Sequence, residues 1–192
     1  KPMFAPRVMT INECFAELSD LQVADSLNLL LRLYTIYCAK KPQAEALERF
    51  IYWGKMMLAD FSAIDNHWVS NVEALYASVA DLQAIEERFA YLSDNQRDAL
   101  SHFWKEFVVS SQHHPDTELH THFLQTWDLL YPMYVTLREG LLQDGLACEG
   151  MLHREVLEHW NEIPEERFCE QYVFLGFNAL TASERALMLR LQ

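Results

Sequence analysis

The tract His113-His114-Pro115-Asp116-Thr117-Glu118-Leu119-His120-Thr121-His122 gathers residue types that ligate metals. Zinc takes three or four nitrogen, sulfur or oxygen ligands at short range, and His113, Asp116 and His120 are the candidates. Against a site, His120 and His122 stand two apart, so on a helix they point to different sides, and no cysteine is near. The tract is read as a solvated loop and helix start, with a small metal-dependent hydrolase as a third-ranked function. A second set is acidic: Asp60, Asp65, Asp81, Glu86, Glu87, Asp94 and Asp98. Paired carboxylates can bind metal or divide acid and base roles, but nothing in the spacing fixes their geometry, and they are read as solvated helix faces. The third set is Trp53, Trp68, Trp104, Trp127 and Trp160. Aromatic platforms for single-stranded DNA sit in basic grooves. These residues lie mostly in apolar stripes and are read as core, with Trp68, beside His67, as the exception.

Several signatures are missing from the sequence: no GxxxxGK[ST] phosphate loop, no GxSxG elbow, no HExxH. Cys14, Cys38, Cys148 and Cys169 are far apart, form no CxxC pair and sit among apolar neighbours. They are read as buried thiols of a reducing cytoplasm. No residue is assigned a catalytic, cofactor-binding or metal-binding role.

These residues need a scaffold, and the composition bounds it. The chain has 192 residues, 51% hydrophobic and 12% aromatic, enough for a well-packed domain. Five Gly and six Pro are too few for a sandwich or barrel. The net charge is −13, which opposes a broad nucleic-acid surface. It is uneven: residues 60–98 carry eight Asp/Glu against Arg88 and Arg97, whereas residues 1–59 carry seven Lys/Arg against six acids. The longest apolar run, Leu27 to Cys38, is broken by Arg32 and too short to span a bilayer. Lys1-Pro2 lacks a signal-peptide core, and the abrupt ends are read as those of an internal fragment.

Helical periodicity dominates, and the expected fold is mainly α, an irregular multi-helix bundle with at most a short strand near 172–177. Thr10-x-x-Glu13 is a capping box opening a helix over 11–18. Further helices are expected over 23–39, with Leu27, Leu30, Leu31 and Tyr34 as one stripe and Leu29, Leu33 and Ile36 on the other side, and over 44–59, where Gly54 permits a close helix contact. Short helices follow over 71–78 and 85–89. Ser93-x-x-Gln96 opens another to Val109, and 110–115 is a loop. A long helix spans 117–143, kinked at Pro132 and stopped by a left-handed Gly145. The last two cover 149–160 and the stretch capped by Thr181-x-x-Glu184.

The closing residues 172–192, YVFLGFNALTASERALMLRLQ, are read as strand, turn and capped helix. In motor ATPases such a strand ends in an acidic pair that holds Mg²⁺; here it ends in Gly176-Phe177-Asn178. Together with PRVMTINECFAELSDLQVADSLNLLLRLYTIY (6–37), FIYWGKMMLADFSAID (50–65), DLQAIEERFAYLSDNQRDALSHFW (81–104) and GLACEGMLHREV (145–156), this pattern resembles the AddB-like subunits of bacterial double-strand-break repair helicase–nucleases, UvrD-related proteins of the PD-(D/E)XK nuclease group. The resemblance implies that residues 1–18 end a motor-like lobe, 19–162 form a helical insertion, and 163–192 are the return strand and helix with a degenerate Walker B-like position. It implies a non-catalytic scaffolding role in DNA-end processing or partner-subunit contact, with an AddA-like helicase subunit and DNA as partners through the parent protein. Direct DNA binding by these residues would be weak or nil. No cofactor is expected on them, Mg²⁺ being left to the parent exonuclease; the setting would be cytoplasmic, without membrane contact. The alternative is a helical protein-interaction module with no DNA role.

Overall fold

The computed structural model describes residues 6–42, 44–76 and 117–192. Within them the chain is mainly helical, with seven α-helices and one short parallel strand pair. Thr10 starts α1 (Ile11–Glu17) as its capping box predicts: the Glu13 amide donates to Thr10 Oγ1 at 3.2 Å, and the Thr10 amide donates to Glu13 Oε2 at 2.6 Å. Asp25 caps α2 (Ser26–Lys40) by accepting from the amides of Leu27 and Asn28. Then come α3 (Leu47–Asn66), α4 (Val72–Tyr76), α5 (Thr117–Gln143), α6 (Glu149–Glu158) and α7 (Ala182–Arg190), the last opened by the Thr181–Glu184 capping box.

The strands β1 (Gln22–Val23) and β2 (Leu146–Ala147) pair in parallel, with Gln22 opposite Leu146 and Val23 opposite Ala147. Gly145 makes this possible. At φ 69° it takes the left-handed conformation expected of it after α5, and its carbonyl accepts from the Gln22 amide at 3.0 Å. Each strand leads directly into a helix, so this small ladder aligns the starts of α2 and α6. α5 continues unbroken through Pro132, whose carbonyl accepts from Thr136 Oγ1.

α6 sits at the centre, packed against α3, α1 and α7, while α2 bridges α3 and α5. The core includes Phe15, Leu33, Phe50, Met133, Leu141, Met151, Leu152, Leu157 and Leu187. Two glycines let helices approach. A Cβ on Gly54 would meet Leu30 Cδ1 at 2.6 Å, which is the close contact expected there, and one on Gly150 would meet the Ser62 carbonyl oxygen at 2.1 Å. The second contact is backbone and cannot yield.

Three expectations are corrected. First, α2 buries Leu29, Leu30, Leu33 and Tyr37, not the Leu27–Leu31 line, which faces outward. The helix begins at Ser26 rather than Val23, because β1 takes Val23. Second, α3 runs seven residues past Ala59 to Asn66, since Phe61 and Asp65 continue its buried stripe. Third, residues 172–177 form no strand; among the described residues no neighbouring chain pairs with them. The expected helices over 85–89 and 93–109 and the 110–115 loop lie outside the described residues. No helix among the described residues is long and apolar enough to cross a membrane.

Candidate functional site

α6 is buried almost all round, yet its sequence carries His153 and Arg154 among the buried positions. A helix in that setting must satisfy its polar groups internally. Arg154 does so against Asp65, whose residue is 1% exposed near the C-terminal end of α3. Arg154 Nη1 lies 3.2 Å from Asp65 Oδ1, Arg138 Nη1 lies 3.3 Å from it, and the Tyr134 hydroxyl donates to it at 2.6 Å. Arg138 also pairs with Glu155 and, at 3.2 Å, with Glu158, and Arg154 donates to the Val69 carbonyl. Burial raises the Asp65 carboxyl above its ordinary range, with the Tyr134 hydroxyl and the two guanidiniums pulling the other way. Burial likewise pushes the Tyr134 phenol up, reinforced by the Asp65 charge.

This cluster welds α3, α5 and α6 together. It also fixes the loop after α3, where Trp68 stands at φ 52° in a Schellman turn: the Trp68 amide donates to Asp65 O at 2.9 Å and the Val69 amide to Ile64 O at 3.2 Å. The charged groups face one another rather than a ligand.

A second polar group lies on the neighbouring side of α6. His153 stacks on Phe15 with ring centroids 3.8 Å apart, its Nδ1 is 3.4 Å from Ser183 Oγ, and its Nε2 is buried with no hydrogen-bond partner among the described residues. Burial drives its pKa down to about 4, so the ring is neutral. A Ser–His pair performs nucleophilic chemistry when the hydroxyl can reach a substrate. Ser183 is fully buried and His153 is 3% exposed, so this pair joins α6 to α7 instead.

The stretch leading into α7 behaves differently. Tyr172 and Phe174 are half-buried, whereas Val173 and Leu175 are 71% and 81% exposed. The Tyr172 and Phe174 rings stack at 6.4 Å, the spacing of alternate residues in an extended chain. At Gly176, φ 81°, the chain turns, and Phe177 and Leu180 are also exposed. Among the described residues no backbone hydrogen bond ties 170–180 to another element. On the other side of this segment α7 is held firmly: Leu187 is fully buried, and the Arg190 guanidinium lies 5.5 Å from both the Trp68 and Trp160 rings and donates to the Leu157 carbonyl. An apolar segment open at its backbone among the described residues, on a firmly seated base, can form contacts.

No family model, curated protein or solved structure matches this chain. Its function is therefore argued from its own residues.

The residues singled out from sequence fall as follows. His113, His114 and Asp116 lie outside the described residues, and His120 and His122 fall on the first turns of α5, two positions apart. Among the described residues no group of three or more His, Cys, Asp or Glu is placed to hold a metal ion. Asp60 is half-buried on α3; Asp81, Glu86, Glu87, Asp94 and Asp98 lie outside the described residues. Asp65 is a correction: it is not on a solvated face but at the centre of the ion cluster. Trp53, Trp68 and Trp160 are half-buried against the core, and Trp104 lies outside the described residues. Cys14 and Cys148 are buried, and burial pushes both thiols up to about 11, but Cys38 and Cys169 are exposed, against the expectation of four buried thiols. Arg138, Arg154 and His153 escaped sequence reading; the available signal was a His-Arg pair set between Met151-Leu152 and Val156-Leu157 on one short helix.

Proposed function

We propose that this chain is a non-catalytic helical scaffolding domain that works by contacting another polypeptide. The observation that carries this reading is the segment 171–180, with Val173, Leu175, Phe177 and Leu180 exposed and its backbone unpaired among the described residues, mounted on the anchored helix α7. The Asp65 cluster supports it, because its charges are turned on one another. Following the resemblance, we read such a domain as part of an AddB-like DNA repair helicase–exonuclease, where it would scaffold DNA-end processing or contact the AddA-like subunit. The Gly176-Phe177-Asn178 turn, lacking the carboxylates of an active motor, is in keeping with that assignment. A cytoplasmic setting belongs to the same reading.

A second reading, an interaction module with no DNA role, is favoured by the net charge of −13, which repels phosphates. Fluorescence anisotropy against forked and single-stranded DNA at low salt separates the two. Binding that weakens steeply with salt supports DNA contact; no binding leaves the interaction module. Mg²⁺-dependent ATPase or exonuclease activity of the purified chain would overturn the scaffolding reading altogether.

A further inference from the structure

Residues 172–175 are apolar on both faces. Tyr172 packs against the core and the half-buried Phe174 stacks on it, while Val173 and Leu175 are exposed. A strand with one wet face alternates apolar and polar residues; a strand apolar on both faces is one covered on both. Among the described residues the fold supplies one cover and no backbone partner alongside. The amides and carbonyls of this stretch stand open among the described residues, as at a sheet edge that has not met its partner. Charge supplies the rest of the partner's description. Residues 171–183 carry no charged side chain, but Glu162, Glu165, Glu166 and Glu170, just before them, are all exposed. None of the four is ion-paired among the described residues, whereas Arg167 between them is taken by Asp20.

We propose that residues 172–177 are a docking edge for an extended, apolar β-strand of a partner polypeptide that carries Lys or Arg at its ends. The strand adds alongside 172–175 by main-chain hydrogen bonds, its apolar side chains cover Val173 and Leu175, and its cations meet the glutamates of 162–170. A second copy of this chain is a poor occupant: its own residues 168–184 carry Glu170 and Glu184 and no Lys or Arg, so in either strand direction it brings no cation to these glutamates. The inference rests on the reading of the chain as a contact domain and names the partner's chemistry at that site.

The test uses the whole chain and capped synthetic peptides, with amide hydrogen exchange of 172–177 and anisotropy as readouts. The probes are KKVTVIVKK, its glutamate-flanked counterpart EEVTVIVEE, KKVTVIVKK methylated at alternate backbone amides, and a lysine-flanked amphipathic helix. The expected result is that KKVTVIVKK binds and slows exchange at 172–177. EEVTVIVEE should bind at least about tenfold more weakly, and the methylated peptide not at all. Leu175→Pro should abolish binding with helical circular dichroism unchanged, since the Leu175 amide holds no backbone partner among the described residues. Equal binding of the methylated or glutamate-flanked peptide overturns the inference, as does the absence of any protection at 172–177. Protection by the helical peptide alone overturns the strand but keeps the contact reading. Protection that grows with protein concentration and no peptide assigns the edge to a second copy and overturns the proposed partner.

Discussion

Replacing Arg154 by Met should destabilise the fold far more than replacing its partner Asp65 by Asn. The cluster holds three carboxylates, Asp65, Glu155 and Glu158, against two guanidiniums, Arg138 and Arg154. Removing Arg154 leaves three anions facing one cation, strips the Val69 carbonyl of its donor, and takes a partner from a carboxylate that is 1% exposed. Breaking a buried pair in this direction costs about 3–5 kcal/mol. Asp65→Asn instead leaves two anions against two cations, and the amide oxygen still accepts from the Tyr134 hydroxyl, which now sits at 2.6 Å from the carboxylate. Burial already raises the Asp65 carboxyl above its ordinary value of 3.8, so its ionised form is held at a desolvation cost that Asn does not carry. The loss should be about 1–2 kcal/mol, that of a charged hydrogen bond exchanged for a neutral one.

Urea unfolding followed by circular dichroism, with equal slopes for the two variants, measures both losses. A domain of this size shifts its Tm by about 2–4 °C per kcal/mol, so the variants should melt several degrees apart. The double variant should fall short of the sum of the single losses by about 1–2 kcal/mol. The pH dependence has a definite sign. A carboxyl with a raised folded-state pKa binds its proton more tightly in the fold, so its penalty is relieved as pH falls toward the unfolded value and returns as pH rises through the folded one. The gap between Arg154→Met and the wild type should therefore narrow in acid. If Asp65→Asn costs as much as Arg154→Met, attraction outweighs desolvation in this cluster and the charge argument fails.

Three further perturbations read other joints. Gly150→Ala should cost about 3 kcal/mol, because its Cβ would meet the Ser62 carbonyl at 2.1 Å, whereas Gly140→Ala, with nothing within 4 Å, should stabilise by about 0.5–1 kcal/mol in thermal melts. His153, with its pKa lowered to about 4, binds fewer protons folded than unfolded. Its contribution of about 3 kcal/mol is thus present above pH 6.5 and lost as pH falls from 6.5 through about 4, and His153→Phe should flatten that part of the stability–pH profile. Arg190→Met removes the cation between Trp68 and Trp160 and should speed amide exchange in α7 about tenfold, leaving α6 unchanged.

What was legible in the sequence was local. The Thr10–Glu13 and Thr181–Glu184 boxes close within four residues, and the end of α5 at Gln143 and the left-handed turn at Gly145 depend on residues a few positions away. The Asp65 cluster was not legible, because Arg138 lies 73 positions along the chain and meets Asp65 only when α3 and α5 pack. A carboxylate in the buried stripe Phe50–Gly54–Met57–Phe61–Asp65 reads as the end of the stripe unless its cation is known. His153 and Arg154 look like the wet face of an amphipathic helix for the same reason: burial all round is a property of α6's neighbours.

The segment 172–177 is the converse case, a pattern legible in sequence that the described fold does not complete. β-propensity reports how well side chains fit a pleated, half-buried surface, and a strand exists only when a second backbone lies beside it. Tyr172 and Phe174 already hold the segment extended, so a docking strand loses less entropy than one that must order both sides. The available gain is set by Val173 and Leu175, at 71% and 81% exposure. Fully burying side chains of this size is worth about 1.5–3 kcal/mol each, so the apolar contribution cannot greatly exceed about 5 kcal/mol before association costs. Main-chain bonds and the glutamates must carry the remainder. A short peptide should accordingly bind in the range of about 1 μM to 1 mM, and tight binding would require a partner that covers Phe177 and Leu180 as well.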